Sequence, residues 1–135
     1  MARSKNCPCG TNQDLAICCL PFIDGRAFPE TAEQLMRSRY TAYALGRIDY
    51  VMQTHAPRTS GGLDRNELQK WAADTEFLGL QVLLTEAGGA GDREGVVAFA
   101  ARLRSDGRAW TMLERSRFER NGGRWVYLDG VIDNP

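Results

Sequence analysis

All four cysteines of this chain lie between residues 7 and 19, in the pattern C-x-C-x8-C-C: Cys7, Cys9, Cys18 and Cys19. Four thiolates provide the ligand type and number of a closed tetrahedral zinc site. With 135 residues, the chain is long enough to bury a core without disulfides. The cluster therefore predicts one structural zinc ion, which holds together a segment too short to fold alone.

Three other uses of the cysteines stay open from the sequence: reduced free thiols, a redox pair and a disulfide framework. The C-x-C and C-C spacings differ from the C-x-x-C spacing of thiol redox sites, and no βαβ pattern surrounds them. These spacings favour the metal over redox chemistry.

Composition and charge indicate a soluble protein. Seventeen Lys and Arg balance seventeen Asp and Glu, so the overall charge does not predict a nucleic-acid or membrane binder. No apolar run approaches the roughly 20 residues that span a bilayer, and residues 1–6 lack the apolar segment of a secretion signal. We therefore expect a cytoplasmic protein without membrane contact, in a compartment where thiols stay reduced.

Three blocks of the sequence carry a family resemblance. CPCGTNQDLAICC, residues 7–19, resembles the SEC-C motif, a small zinc-binding module named for the C-terminus of the SecA translocation ATPase. LMRSRYTAYALGRIDYVMQTHAP, residues 35–57, and ERSRFERNGGRWVYLDG, residues 114–130, are similar to the YchJ-like bacterial proteins.

The resemblance implies a fold and a role. A SEC-C module over residues 1–28 would precede a nuclear transport factor 2-like (cystatin-like) α+β domain over residues 29–135. In that fold, a cone of helices packs on a curved antiparallel sheet, and copies often pair through the sheet, so a homodimer is an expectation. SEC-C modules resemble docking devices for proteins or ribosomes, and the resemblance implies no established reaction.

The pattern of residues 30–135 agrees with this fold. Thr31 and Gln34 form a capping box that begins a helix ending near Gly46. Shorter helices are expected over 48–53 and 63–73. From residue 77 the apolar period changes to two, which predicts four strands joined by glycine-containing turns into an antiparallel meander. Two of the strands carry these alternating residues: Leu78, Leu80, Val82 and Leu84 in the first, and Val97, Phe99, Ala101 and Leu103 in the second.

Two charged residues fall on the apolar faces of predicted elements. Arg39 lies between Met36 and Tyr43 on the first helix, and Glu114 alternates with apolar residues on the third strand. Because a buried charge is costly unless paired, we expect Arg39 to meet Glu114 or Asp129 inside the cone. The candidate ligand-pocket residues are Arg39, Tyr43, Glu114, Tyr127 and Asp129. The pair can equally serve only to fix how the helix docks on the sheet.

Catalytic residues are not assigned. The only histidine, His55, precedes Pro57 at a helix end, where a capping or surface role is the usual one. No Ser-His-Asp arrangement, phosphate-binding glycine loop or GxSxG motif occurs. Metal catalysis is not expected either, because four sulfur ligands leave no open position.

Seven arginines lie between residues 102 and 124, and two of them, Arg115 and Arg117, are expected on the outer face of the sheet. Such a stripe can contact RNA phosphates or an acidic protein, or can be a solvated surface balanced by neighbouring carboxylates. The leading hypothesis is a zinc-binding, non-enzymatic adaptor whose SEC-C module recruits a protein or ribosomal partner. The alternative is a small-molecule binder or acid–base enzyme that uses the cone pocket.

Overall fold

The structure, a computed structural model, describes residues 6–133. A cone of helices packs on one face of a four-stranded sheet, and the cysteine segment precedes it. The helices are α1 (Leu20–Ile23), α2 (Ala32–Leu45), α3 (Ile48–Gln53) and α4 (Arg65–Ala73), with short 3-10 turns at Leu15–Ile17 and Pro57–Thr59. The strands are β1 (Glu76–Ala87), β2 (Glu94–Ser105), β3 (Arg108–Asn121) and β4 (Arg124–Asp133).

The sheet is an antiparallel meander in the order β1-β2-β3-β4, as the strand pattern predicts. The inward residues of β2 are Val97, Phe99, Ala101 and Leu103, and all four are buried. This confirms the predicted α+β class with an antiparallel sheet. No helix within residues 6–133 has the length and apolar composition needed to cross a membrane.

The predicted cap of α2 is confirmed. The Thr31 hydroxyl accepts a hydrogen bond from the Gln34 amide at 3.1 Å, and the Gln34 side chain accepts one from the Glu30 amide at 2.7 Å. The helix ends at Gly46, whose φ of 73° is the left-handed conformation that glycine adopts without strain. These caps fix the helix that carries Arg39.

The start of α4 differs from the prediction by two residues. Asp64 is the N-cap, because its carboxylate accepts hydrogen bonds from the amides of Asn66 and Glu67 at 2.9 and 3.2 Å. An N-cap residue stands outside the helix that it caps, so α4 begins at Arg65 rather than at Leu63.

The predicted alternation in β1 is wrong at both ends. Register shifts relative to β2 occur between Phe77 and Gly79 and between Val82 and Leu84. Each β-bulge inserts a residue and reverses the faces that follow. Phe77, Leu80 and Val82 therefore pack against the core, whereas Leu78 and Leu84 are exposed.

The cysteine segment and the cone share one continuous core. Cys7, Cys9 and Cys19 belong to the same buried cluster as Leu35 and Met36 of α2. Whether residues 1–28 and 29–135 are separate domains stays a prediction. Loss of order around the cysteines would nonetheless expose part of the cone's own core.

Candidate metal centre and cone cavity

The four cysteine sulfurs converge at one point of the structure. All four Sγ atoms lie within 4.8 Å of one another. Cys9 Sγ is 3.6 Å from Cys18 Sγ, which is 3.9 Å from Cys19 Sγ. Cys7, Cys9 and Cys19 are buried and Cys18 is half-buried. No disulfide joins the four cysteines, and the cluster can hold a metal ion.

Local structure brings the two cysteine pairs together. Gly10 turns the chain after the first pair with a φ of 88°, and the Cys7 amide then bonds to the Gln13 carbonyl at 2.8 Å. The Asp14 carboxylate caps the 3-10 turn Leu15–Ile17 by accepting a hydrogen bond from the Ala16 amide. This turn delivers the second cysteine pair.

Hydroxyl groups surround the sulfurs. Thr11 Oγ1 lies 3.1 Å from Cys18 Sγ, and Thr41 Oγ1, on α2, lies 3.5 Å from Cys7 Sγ. Such contacts orient ligand side chains around a metal. Thr41 therefore connects the cysteine cluster to the cone. The cysteine pattern alone does not predict this role for Thr41.

Protons in the cluster are distributed unevenly. Hydrogen bonds from Cys19 and Cys7 lower the pKa of the Cys9 thiol, whereas burial raises the pKa of the Cys18 thiol to about 11. In the metal-free protein, Cys9 therefore becomes a thiolate more readily than Cys18. A metal ion would displace the protons of the other thiols, so metal binding would release acid.

Two contacts fix the cysteine segment to the cone. Arg37 of α2 donates a hydrogen bond from Nη1 to the Cys9 carbonyl at 2.5 Å and one from Nε to Glu33 at 2.9 Å. Gly10 faces the β1 backbone so closely that a Cβ there would lie 2.7 Å from the Leu80 carbonyl oxygen. Only glycine fits this approach.

The cone encloses a cavity of about 380 Å³ between the helices and the inner face of the sheet. Four of the five predicted pocket residues line it: Arg39, Tyr43, Glu114 and Tyr127. The lining residues outside the predicted pocket set include His55, Trp71, Phe77 and Ser116. Trp71 and Phe77 stand out in the sequence only as apolar positions, which explains why their role as cavity walls is missed.

Arg39 does not form the predicted ion pair. Its Nη1 donates hydrogen bonds to the Val51 carbonyl at 2.8 Å and to Thr54 Oγ1 at 2.7 Å, and its guanidinium lies 4.6 Å from the centre of the Tyr127 ring. Arg39 is 7% exposed. A helix carbonyl, a hydroxyl and an aromatic face thus replace the expected carboxylate.

Asp129 lies outside the cavity because of a bulge in β4. Between Arg117 and Phe118 the register shifts, so that Arg117 pairs with Asp129 and Phe118 pairs with Tyr127. Arg117 and Phe118 are adjacent in β3 and therefore face opposite sides of the sheet. The residues paired with them do the same, so Tyr127 points inward and Asp129 outward. On the outer face, Asp129 accepts two hydrogen bonds from Arg117, at 2.7 and 2.5 Å, which hold the pKa of this carboxyl below its usual range.

Family-model and structural comparisons agree with this geometry. The family model described as YchJ, middle NTF2-like domain, matches residues 31–130. The chain belongs to the YchJ family. A UPF0225 protein of Chromobacterium violaceum is 45% identical over 93% of this chain and 92% of the relative. Another, from Actinobacillus succinogenes, is 41% identical over 96% of this chain and 83% of the relative.

Solved structures place the YchJ-family chain among SEC-C motif proteins. The SEC-C motif containing protein of Rhodopseudomonas palustris is 34% identical, with a TM-score of 0.86 over 96% of this chain and 100% of that one. That of Psychrobacter arcticus is 27% identical, with a TM-score of 0.81 over 97% and 84%. An NTF-2 like protein of Shewanella oneidensis, 15% identical with a TM-score of 0.54 over 75% and 94%, shares the fold alone. The predicted family and fold are confirmed.

The outer-face arginines of this YchJ-family chain are paired with carboxylates. Arg115 donates to Glu86 at 2.6 Å, and Arg117 is held by Asp129. Both point outward, as expected. Because each already faces a carboxylate, an RNA phosphate would have to compete for them. The RNA contact stays a prediction, as does the homodimer.

His55 is expected to titrate below its usual range. Its ring packs against Tyr127, with 5.2 Å between ring centres, and its Nε2 lies 3.2 Å from the Thr59 carbonyl. Burial, followed by the charge of Arg39, lowers its pKa from 6.5. Since the folded state disfavours the imidazolium, the stability that His55 contributes is present above pH 6.5 and is lost as the pH falls through the lowered pKa.

Proton NMR of the single histidine ring measures this directly. A midpoint below 6.5 in the folded protein is the expected result. A midpoint at or above 6.5 would contradict the placement of His55 against the cavity wall. A matched titration in urea gives the unfolded reference value.

Proposed function

We propose that the four cysteines hold one structural zinc ion and that the protein is a cytoplasmic, non-enzymatic docking protein. The zinc proposal is supported by the distances between the Sγ atoms of the cysteines. A tetrahedral zinc with Zn–S bonds of about 2.3 Å separates its sulfur ligands by roughly 3.8 Å. The Cys9–Cys18 and Cys18–Cys19 separations of 3.6 and 3.9 Å agree with that value.

Cys7, Cys9, Cys18 and Cys19 would be the complete ligand set. A zinc ion with four thiolate ligands has no open position, so its chemistry would be structural rather than catalytic. The burial of three of the cysteines supports this, because substrate could not reach the ion. The contact of Thr41 with Cys7 would pass the effect of metal binding to α2.

The docking part rests on the surface of the cysteine segment. Ile17, directly before the second cysteine pair, is 73% exposed. Its backbone is held by the 3-10 turn and would be fixed further by the metal ligand Cys18 beside it. An exposed apolar side chain on a backbone held in this way suits insertion into a pocket on a protein partner, which includes ribosomal proteins.

Site-specific photo-crosslinking in cells tests the docking role. With the photoreactive amino acid benzoylphenylalanine at position 17, we expect a discrete adduct whose mass identifies a ribosomal or another protein. The matched control carries it at position 131, because Val131 is similarly apolar and 71% exposed but lies on the far edge strand. In purified binding assays, Ile17→Ser should weaken binding of the partner that the adduct identifies. No discrete adduct from position 17, or the same adducts from both positions, would contradict the proposal.

The second candidate function is small-molecule binding or acid–base chemistry in the cone cavity. It is favoured by the presence of both His55 and Glu114 in the lining of the cavity. A neutral imidazole and a carboxylate can each accept a proton from a bound molecule. This candidate requires no partner protein, so it is unaffected by Ile17→Ser.

A further inference from the structure

The cone cavity has the size and shape of a small-molecule site. Its volume of about 380 Å³ lies within the range of roughly 300–1,000 Å³ that is typical of ligand pockets. Trp71 and Ile132 line it and are also 38% and 52% exposed, so the cavity opens to solvent beside them. A molecule can therefore enter without unfolding the cone.

Aromatic rings form one wall of the cavity. Trp71 of α4 meets Tyr43 of α2 and Phe77 of β1 edge to face, with ring centres 5.4 and 5.5 Å apart. The rings hold one another in place, which lowers the entropy cost of binding a ligand against them. Such a wall fits a flat apolar body.

At the cavity wall, Arg39 keeps donors that the protein does not use. Its Nη1 makes both of the hydrogen bonds to Val51 and Thr54. An arginine has five N–H groups, and Nε and Nη2 have no acceptor among residues 6–133. At 7% exposure, the guanidinium keeps these N–H groups at the cavity surface, where a ligand acceptor can take the place of water.

Glu114 keeps an acceptor. Its Oε2 accepts hydrogen bonds from Ser116 at 2.6 Å and from Tyr127 at 3.3 Å, and its Oε1 has no donor within the described chain. Gly130 leaves the space that this carboxylate occupies, since a Cβ there would overlap Oε2. The sequence thus makes room for a carboxylate on the cavity wall.

Tyr127 stands between the two charges. The Arg39 guanidinium covers its ring, and its hydroxyl reaches Glu114. An anionic ligand at Arg39 would be repelled by Glu114, and a cationic ligand at Glu114 would be repelled by Arg39. A neutral group that carries an acceptor and a donor side by side satisfies both residues and meets neither repulsion.

We propose that the cavity binds an uncharged molecule with a flat apolar body and a carboxamide-like polar end. The carbonyl oxygen accepts from Arg39, the N–H donates to Glu114 Oε1, and the body lies against Trp71 and Phe77. This inference rests on the second candidate function and names the ligand class of that site. It is independent of the metal and of the docking surface.

Three probes of nearly equal shape test the proposal: 2-naphthamide, 2-naphthoate and 2-naphthamidine, which are neutral, anionic and cationic. Each is titrated into the isotopically labelled full-length protein and followed by NMR. We expect the amide to shift the Trp71 indole and Ser116 signals and to bind at least about tenfold more tightly than either ion. If either ion binds as tightly as the amide, the ligand class is wrong. If no probe shifts the cavity signals, cavity binding fails as well.

Glu114→Gln supplies the matched variant. Removing the negative charge should raise the affinity for 2-naphthoate and lower the affinity for 2-naphthamidine. The control is Glu86→Gln, because Glu86 lies on the outer face against Arg115 and should leave the ranking unchanged. An unchanged ratio of the 2-naphthoate and 2-naphthamidine affinities in Glu114→Gln would overturn the assignment of Glu114. The wild-type comparison of the three probes needs no variant and decides the ligand class even if Glu114→Gln folds poorly.

Discussion

Removal of the proposed zinc ion is expected to lower the melting temperature by roughly 12 °C. Free zinc at about a thousand times its dissociation constant would stabilise the folded state by about 4 kcal/mol. For a chain of this size, 1 kcal/mol corresponds to roughly 3 °C. The loss of packing on metal removal would extend beyond the cysteines, because Cys7, Cys9 and Cys19 share a buried cluster with Leu35.

Differential scanning fluorimetry under reducing conditions, with and without a strong chelator, measures this shift. Cys18→Ser should melt at a reduced temperature that the chelator lowers little further. Ile17→Ser changes the neighbouring exposed residue and should respond to the chelator as the wild type does. A wild-type melting temperature that does not move on chelation, in protein shown by elemental analysis to lose its metal, would contradict a structural role for the ion.

Gly10→Ala is expected to destabilise the protein by about 3 kcal/mol. Two effects add at this position. A side chain at a φ of 88° costs on the order of 1–2 kcal/mol, and a Cβ 2.7 Å from the Leu80 carbonyl oxygen forces backbone to move, at roughly 1–3 kcal/mol. The collision is with a strand of the sheet, so the chain around Cys9 would have to lift off β1.

Gly25→Ala separates the two effects. Gly25 also has a positive φ, 77°, but a Cβ there meets nothing within 4 Å. We expect this control to lose only the conformational part, about 1 kcal/mol. Urea unfolding of both variants gives the difference. Equal losses in the two variants would mean that the approach of Gly10 to β1 contributes nothing to stability.

Local sequence signals account for much of the architecture. The T-x-x-Q cap predicts the start of α2, and the strict alternation of β2 predicts which of its residues are buried. The four cysteines predict a common site, because a short segment with a tight turn at Gly10 can bring them together in few ways. Helix caps, apolar periodicity and clustered ligands each involve only a short stretch of chain, so they can be recognised in the sequence before the fold is known.

The sequence did not predict the β-bulges of β1 and β4, and these bulges change which residues line the cavity. The bulges of β1 expose Leu78 and Leu84. The bulge of β4 places Asp129 on the outer face, beside Arg117, instead of in the cavity. A bulge depends on how two strands pair, and the sequence of one strand does not specify its partner's register. The predicted pairing of Arg39 with a carboxylate was wrong for a related reason. Its partners, Val51 and Thr54, are set by the packing of α3 against α2.

The sequence by itself determined the family, the α+β meander and the four-cysteine cluster, since each depends on local residue type and spacing. The tertiary structure decided what the charged residues do. It gave Arg39 a helix carbonyl and a tyrosine face, left Glu114 on the wall of an open cavity, and placed His55 in the lining of the same cavity. A buried charge is stabilised by whatever dipoles surround it in three dimensions, and those come from segments far apart in the chain.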